Sequence, residues 1–251
     1  MVDHTYRKKR ERCVTGIEGL DNILNGGIPR DNIILITGSC GTGKTTISLE
    51  FLIHGALMGE KSMFISVTEA TSKLLKNAIP YEFFDERLIE EGMLTFIDMP
   101  ALYEKLGLEK PEFTFEDIDV LVEAIGNIVK ELGIKRLVID SITSVCYRLK
   151  TEEKIRSFIL RLGKLLSELG CTTILVSEIS PMEQRYSMYG VEEAIADGII
   201  LLSNMERSGD MLRTLQVIKM RGTQHSRAKY VLDLTDIGVL LVPMLKGVGG
   251  G

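Results

Sequence analysis

IILITGSCGTGKTTISLEFLIHGAL, residues 33–57, decides the fold class of the chain. Its apolar, largely β-branched start predicts a buried strand over residues 33–37, and the stretch from Lys44 to Leu57 has a helical pattern. Between them, GSCGTGKT matches the spacing GxxxxGK[ST] of a phosphate-binding loop, the Walker A pattern. Because a strand before the loop and a helix after it are the context that this pattern requires, we predict a site for the phosphates of ATP or ADP.

The residue types of this loop follow from the chemistry of binding phosphate. Glycines let the backbone turn so tightly that successive N–H groups point at the oxygens, and the following helix adds its positive end. Lys44 neutralises the β- and γ-phosphates, and the Thr45 hydroxyl can ligate Mg²⁺. The alternative is a glycine-rich turn that carries a lysine by chance. The predicted ATP contacts are Gly38, Ser39, Cys40, Gly41, Thr42, Gly43, Lys44, Thr45 and Thr46.

Outside the loop, apolar runs alternate with helical patterns, which is typical of βαβ units and a buried parallel sheet. After residue 196, strand-like runs follow one another without helices and predict antiparallel hairpins. We therefore predict an α/β fold with a mainly parallel central sheet flanked by helices and C-terminal antiparallel strands. Residues 98–116 are interpreted as an irregular connection. The predicted strands cover 33–37, 63–67, 93–97, 136–140, 172–177, 199–203, 212–220, 229–235 and 238–243, and the helices 44–57, 72–78, 115–132 and 152–169.

Two carboxylates are candidates for the rest of the site. Asp140 ends the run LVID at the carboxyl end of a strand, where ligands of open α/β sheets bind, and it would hold a magnesium-bound water. Its alternative role is to cap the following turn together with Ser141. Glu69 follows the run MFISV and is placed to orient an attacking water, although a solvated loop glutamate is an equal interpretation.

Length and composition favour a single domain over residues 15–245, with a basic tail at 1–14 and a glycine-rich tail at 246–251. The net charge of -5 argues against a surface wholly committed to polyanions. The four cysteines lie far apart without CxxC spacing, which predicts neither a zinc cluster nor a disulfide framework. Since no apolar run approaches the roughly 20 residues of a membrane helix, we expect a soluble, cytoplasmic protein without a membrane partner.

Four stretches carry a resemblance to a known family: TGIEGLDNILNGGIPRDN before the loop, LVIDSITS around Asp140, YGVEEAIADGIILL from Tyr189, and KMRGTQH over residues 219–225. From residue 15 to 240 the chain resembles a single domain of the KaiC family, within the wider RecA/RadA group. The first two stretches are shared broadly among RecA-like proteins, whereas KMRGTQH is close to a family signature.

This resemblance implies a RecA-like P-loop NTPase that assembles with copies of itself as a ring, commonly a hexamer, with ATP between neighbouring subunits. Glu69 occupies the place of the water-activating glutamate, but Thr68 stands where many members carry a second one, which leaves the hydrolysis rate open. Lys219 and Arg221 match the basic pair that reaches the neighbour's γ-phosphate; without the resemblance, a basic pair on a solvated strand would be favoured. At the positions of the clock protein's phosphorylated serine and threonine stand Glu193 and Ala194, so phosphorylation is not transferred.

The leading hypothesis is an ATPase that uses nucleotide state to change the ring or its grip on an unknown protein partner. One alternative is a RadA-like recombinase paralogue that binds single-stranded DNA through loops at 143–151 and 178–189. The acidic total and the absence of RadA's N-terminal module argue against it, and the basic run at 7–10 is more typical of a solvated tail. Another alternative is a nucleotide switch with very slow hydrolysis. Cys40 is interpreted as a small loop residue rather than a redox sensor.

Overall fold

The computed structural model describes residues 11–181 and 185–244. The secondary structure of this part of the chain mixes strands and helices up to α9 and consists of strands alone after it. The strands are β1 (Arg12–Cys13), β2 (Ile28–Pro29), β3 (Ile33–Gly38), β4 (Ser62–Ser66), β5 (Leu94–Asp98), β6 (Arg136–Asp140), β7 (Thr172–Glu178), β8 (Gly198–Arg207), β9 (Asp210–Met220), β10 (Lys229–Thr235) and β11 (Gly238–Pro243). The helices are α1 (Leu20–Ile23), α2 (Lys44–Leu57), α3 (Thr71–Ala78), α4 (Arg87–Glu90), α5 (Met99–Lys105), α6 (Phe115–Leu132), α7 (Ile142–Tyr147), α8 (Glu152–Leu169) and α9 (Glu192–Ile195).

One large sheet organises the molecule, in the strand order β11-β10-β9-β8-β3-β7-β6-β4-β5. The strands from β8 to β5 in this order run parallel, while β8, β9, β10 and β11 pair antiparallel. The predicted fold class is therefore confirmed. Because β3 lies in the middle of the sheet and is covered on both faces, its sequence is a continuous apolar run rather than an alternation.

Successive residues of β3 supply two separate cores. Ile34 and Ile36 belong to the core that α2 covers, whereas Ile33 and Leu35 belong to the core under α6 and α8. The ends of the two long helices follow from local chemistry. For example, α6 begins in a capping box at Thr114, and α8 begins at Thr151, whose side chain accepts from the N–H of Lys154. Both helices end at a left-handed glycine. The sheet is thus held rigidly from both sides, which fixes the positions of its strand ends.

Residues 98–116 differ from the prediction of an irregular connection, because the helix α5 occupies their first part. Pro100 lies in the first turn of α5, where the missing N–H group costs no hydrogen bond. The predicted loop at 143–151 is also partly wrong, since α7 continues to Tyr147. The predicted domain limits stay predictions, and the basic run at 7–10 and the glycine-rich tail lie outside the described residues.

Candidate functional site

The phosphate loop lies between the end of β3 and the start of α2, as predicted. Gly41 and Gly43 have φ angles of 74° and 95°, which only glycine adopts without strain. Gly38 is required for a different reason, because a Cβ atom there would lie 2.4 Å from the carbonyl oxygen of Leu202 on β8. Each of these glycines therefore has a steric reason to be present in this loop.

Lys44 is folded back onto its own loop. Its Nζ atom donates hydrogen bonds to the carbonyl oxygens of Gly38 at 2.9 Å and Ser39 at 2.8 Å. The residue is 7% exposed, and burial lowers the pKa of the amine, opposed by the negative charges of Glu178 and Asp140. A buried cation held by two neutral carbonyls is ready to exchange them for anionic phosphate oxygens.

Thr45 and Asp140 are brought together as the sequence predicts. The Thr45 hydroxyl donates to the Oδ2 atom of Asp140 at 2.7 Å. Burial raises the pKa of the Asp140 carboxyl, opposed by this hydrogen bond and by Lys44. The residue that caps α7 is Ser141 rather than Asp140, because the side chain of Ser141 accepts a hydrogen bond from the backbone N–H of Ser144. Asp140 is therefore left facing the phosphate loop.

Within the described residues, no group of three or more His, Cys, Asp or Glu side chains could hold a metal ion. The Thr45 hydroxyl and one carboxylate fit a cation that takes most of its ligands from water and phosphate oxygens. Mg²⁺ at nucleotide sites is typically bound by only one or two protein side chains, whereas a structural zinc ion is coordinated by four. The donors present thus fit magnesium that arrives with a triphosphate.

Glu69 lies just beyond the end of β4, on the same side of the sheet as Asp140. The Ser66 hydroxyl donates to its backbone carbonyl at 2.6 Å, which fixes the turn. Its carboxylate, 30% exposed, is 3.2 Å from the Nζ atom of Lys73 one helical turn along. Glu69 therefore lies at the same end of the sheet as Asp140, with its carboxylate paired to Lys73. Thr68, beside it, is exposed.

Two further residues, which the sequence analysis did not identify, lie at the phosphate loop. Glu178 ends β7 directly opposite Gly38; burial lowers the pKa of Lys44 and raises that of Asp140, and the charge of Glu178 opposes the first shift and adds to the second. Arg213 on β9 donates from Nε to the carbonyl oxygen of Gly41 at 2.9 Å. An acidic residue at a strand end was a readable signal for Glu178, whereas Arg213 reaches the loop only through the pairing of β8 with β9.

Lys219 and Arg221 lie at the opposite edge of the sheet from the phosphate loop. Gly198 pairs with Ile34 near the start of β3 and with Met220 on β9, so this basic pair is level with the beginning of β3. The phosphate loop begins at the other end of the same strand, which is about 17 Å away at 3.3 Å per residue. The predicted pair is therefore not brought to the phosphate loop of its own chain.

The basic pair is held by the segment between α9 and β8. Lys219 donates from Nζ to the carbonyl oxygens of Glu193 at 3.2 Å and Ala196 at 2.6 Å, and Arg221 pairs with Asp197 at 3.4 Å. Burial lowers the pKa of Lys219, as does the charge of Arg221, opposed by Asp197 and Glu193. Lys219 is thus partly buried and hydrogen-bonded, whereas the Arg221 side chain is 55% exposed and pairs with Asp197.

The two loops proposed for DNA differ in what they offer. In the first, Arg148 stacks on the rings of Tyr103 and Phe113, with its guanidinium carbon 4.4 and 4.6 Å from the ring centroids. Lys150 pairs with Glu112 at 2.8 Å. The cations of this loop are therefore engaged within the chain, although Tyr147 is 80% exposed. This arrangement weakens the case for a nucleic-acid contact.

The second loop, described except for residues 182–184, borders the phosphate loop. Together with the end of β8, its residues line a cleft of about 770 Å³ that includes Ser39 and Cys40. Cys40 is exposed, whereas Cys13, Cys146 and Cys171 are buried.

Among the described helices, none is long and apolar enough to cross a membrane.

The chain is similar over most of its length to proteins of one family. The family described as "ATPase: KaiC" matches residues 13–246. A UPF0273 protein of Thermotoga maritima is 38% identical over 95% of this chain and 99% of its own length. The circadian clock oscillator protein KaiC of Synechococcus elongatus is 32% identical over 92% of this chain but only 44% of its own length. The crystal structure of a KaiC-like protein from Pyrococcus horikoshii matches with a TM-score of 0.81 at 34% identity, covering 93% of this chain and 99% of that one.

Proposed function

Because the chain belongs to the KaiC family of ATPases and has its RecA-like α/β fold, we propose that it binds ATP with Mg²⁺ and hydrolyses it in a ring of identical subunits. The observation that carries this proposal is the meeting of Lys44, Thr45 and Asp140 in one crevice, with the Thr45 hydroxyl 2.7 Å from the carboxylate. Burial disfavours the charged forms of both Lys44 and Asp140, so removing them from water costs free energy that a bound ligand could offset. A triphosphate would supply negative charge to Lys44, and its metal would supply positive charge beside Asp140.

The binding half of the site comes from one chain. The N–H groups of residues 38–46 and Lys44 would take the phosphates, Thr45 would ligate magnesium directly, and Asp140 would hold one of its waters. On binding, Lys44 exchanges two carbonyl partners for anionic oxygens, which make stronger, charge-assisted hydrogen bonds. Glu69 would orient the attacking water after leaving Lys73, and an exposed ion pair of this kind costs little to break.

The turnover half of the site comes from the neighbouring subunit. Lys219 and Arg221 are ordered at the edge of the sheet opposite to the phosphate loop, so one chain cannot use them on its own nucleotide. A head-to-tail contact between the two edges of adjacent subunits would bring them to the γ-phosphate and would generate a ring when the rotation closes. Cations supplied in this way stabilise the charge of the phosphoryl transition state.

Subunit mixing tests this proposal. Lys44→Ala removes the binding half and Arg221→Ala the turnover half, so we expect either variant alone to release little phosphate from ATP. In a mixture assembled before ATP is added, some sites combine an intact phosphate loop from one variant with an intact Arg221 from the other. We expect phosphate release well above that of either variant. Release that stays at the level of the separate variants contradicts the shared site, and a parental rate for Lys44→Ala alone contradicts the ATPase.

A nucleotide switch with very slow hydrolysis is the second candidate. It is favoured by Thr68 in place of a second glutamate and by the engagement of Glu69 with Lys73. In that case ATP would hold the ring together and would hardly be turned over. Light scattering with ATP, ADP and no nucleotide, run beside the phosphate assay, distinguishes the candidates: ATP-dependent assembly without phosphate release supports the switch.

Binding of single-stranded DNA is not proposed, since Arg148 and Lys150 already have partners in the chain. A titration with an oligonucleotide at two salt concentrations checks this judgement. Micromolar binding that weakens steeply with salt would reopen the recombinase alternative.

A further inference from the structure

Asp197 joins the basic pair to the strand that carries the phosphate loop, and each of its four polar groups has a partner. Its N–H donates to the carbonyl of Ile33 at 2.7 Å, and its Oδ2 atom accepts from the N–H of Ile33 at 3.1 Å. On the other side, its carbonyl accepts from the N–H of Arg221 at 2.8 Å, and its Oδ1 atom accepts from the guanidinium at 3.4 Å. One residue therefore fixes the backbone and the side chain of Arg221 to the first residue of β3.

Lys219 is fixed by the same segment through a different contact. The carbonyls of Glu193 and Ala196, at the end of the single-turn helix α9, both accept from its Nζ atom. In the pairing of β8 with β9, Ile199 faces Lys219 and Ile200 faces Val217, so Ile218 is an extra residue in a β-bulge. Bulges bend a strand and redirect its side chains. The bulge therefore adds to the local geometry that aims Lys219 at these carbonyls.

We propose that Asp197 is a positioning residue, which together with the carbonyls of Glu193 and Ala196 holds Lys219 and Arg221 in the geometry that meets the triphosphate of the neighbouring subunit. The inference rests on the proposed function, and Asp197 itself touches no nucleotide. Long basic side chains lose rotamer freedom when they are fixed, so a pair ordered before assembly loses less on meeting its ligand. A preorganised cation also stabilises a transition state better than a mobile one.

The contact to Arg221 is strong enough to orient it and weak enough to release it. The Asp197 side chain is 27% exposed, that of Arg221 is 55% exposed, and the ion pair is long at 3.4 Å. Partly exposed pairs of this kind contribute little free energy, so a doubly charged phosphate can compete for the guanidinium. The backbone bonds to Ile33 are not given up in this exchange, and they keep the base of Arg221 in place.

The rival explanation is that Asp197 only secures β3, and with it the phosphate loop of its own chain. The variant Asp197→Asn distinguishes the two explanations. Asparagine retains an oxygen that can accept from the N–H of Ile33, but it removes the negative charge that faces Arg221. We expect kcat for ATP to fall about three- to tenfold and the affinity for ATP to stay within about twofold. Asp119→Asn is the matched control, since Asp119 pairs with the exposed Arg161 and lies on α6; its kcat should equal that of the parent.

Mixing with Lys44→Ala shows in which chain Asp197 acts. In a one-to-one mixture with Asp197→Asn, about half of the competent phosphate loops face an intact Asp197 and Arg221 from a Lys44→Ala chain. We expect the mean rate per competent loop to rise about two- to fivefold above that of Asp197→Asn alone. In the Arg221→Ala background, Asp197→Asn should lower kcat no further, because its effect passes through Arg221.

Three outcomes overturn the inference. They are an unchanged kcat for Asp197→Asn, an effect that persists fully in the Arg221→Ala background, and no rise on mixing with Lys44→Ala. If that rise is missing while the mixture of Lys44→Ala with Arg221→Ala is active, the proposed function stands and only the role of Asp197 fails. If neither mixture is active, the shared site itself fails. Should Asp197→Asn not fold, Asp197→Glu replaces it, because the longer side chain keeps the charge but displaces it, and the same mixing rescue is expected.

Discussion

The central sheet has a carboxyl edge, where its parallel strands end, and an amino edge, where they begin, and these two edges are built differently. At the carboxyl edge, the phosphate loop, Asp140 and Glu69 come from one chain and face a common crevice, where Lys44 and Thr45 already contact their partners. At the amino edge, Lys219 and Arg221 are ordered by carbonyls and by Asp197, about 17 Å from that crevice. The carboxyl edge therefore carries the groups that we propose to bind ATP, and the amino edge carries the basic pair that we propose to reach the nucleotide of a neighbouring subunit.

Because of this difference, we expect substitutions at the two edges to change different quantities. Substitutions at the carboxyl edge are expected to change the affinity for ATP, and those at the amino edge the rate at saturating ATP. An interaction made only in the transition state lowers kcat when removed, whereas one made in both states changes affinity. Each substitution below tests this division, in order of the size of its expected effect.

Lys44→Ala should have the largest effect, because it removes the buried cation of the phosphate loop. We expect phosphate release to fall about 10³-fold or more and the binding of ATP to weaken about a hundredfold. Steady-state phosphate release and a fluorescent ATP analogue measure the two quantities. Lys76→Ala, at an exposed lysine on α3, is the control and should behave as the parent does. Undiminished binding in Lys44→Ala would place the nucleotide away from this loop.

Arg221→Ala should have the next largest effect, but on kcat alone. Removing one preorganised donor from a transition state costs about 10²-fold, and the guanidinium lies too far from its own chain's phosphate loop to support binding there. We expect kcat to fall about a hundredfold while the analogue binds as tightly as to the parent. Arg161→Ala, at an exposed arginine on α8, controls for the loss of a surface charge. Weakened binding with unchanged kcat would reverse the assignment of the two edges.

The elements of the carboxyl edge could be predicted from the sequence because their signals are local. The bounds of α2, α6, α8 and β6 agree with the prediction, since apolar periodicity, the Thr114 cap and the glycines after the helices act within a few residues. Asp140 was predictable for the same reason, as it ends a buried strand. The helix α5 was missed because residues 98–116, which include Pro100, were interpreted as an irregular connection, although proline is tolerated in the first turn of a helix.

The arrangement of the amino edge could not be predicted in this way, because it depends on strand order. The distance between Lys219 and the phosphate loop follows from the pairing of β3 with β8 and of β8 with β9, which joins residues far apart in the chain. The same holds for Arg213 at Gly41 and for Asp197 at Ile33. A resemblance to the family suggested a role for the basic pair. Only the register shows that the pair lies at the opposite edge from its own phosphate loop.

Glu69→Gln can break the division between the edges, because Glu69 lies at the carboxyl edge but is proposed to act on water. Glutamine keeps the shape and removes the charge, so we expect kcat to fall about ten- to a hundredfold with binding unchanged. Lys73→Ala releases the carboxylate from its ion pair and should leave kcat equal to or above that of the parent. If Glu69→Gln has the parental kcat, the glutamate is a solvated loop residue and the nucleotide switch gains support.

Arg213→Ala should have the smallest effect and separates the two ends of β9. Arg213 lies at the carboxyl edge, where its Nε atom holds the carbonyl of Gly41, whereas Lys219 and Arg221 lie at the other end of the strand region. Because Arg213 is exposed, losing one hydrogen bond should weaken ATP binding only about two- to threefold and leave kcat unchanged. Arg213→Lys should weaken binding to a similar degree, since the ammonium lacks the directed Nε donor. If Arg213→Ala lowers kcat as much as Arg221→Ala does, substitutions at the two ends of β9 have the same effect. The assignment of binding to one edge and turnover to the other would then be wrong.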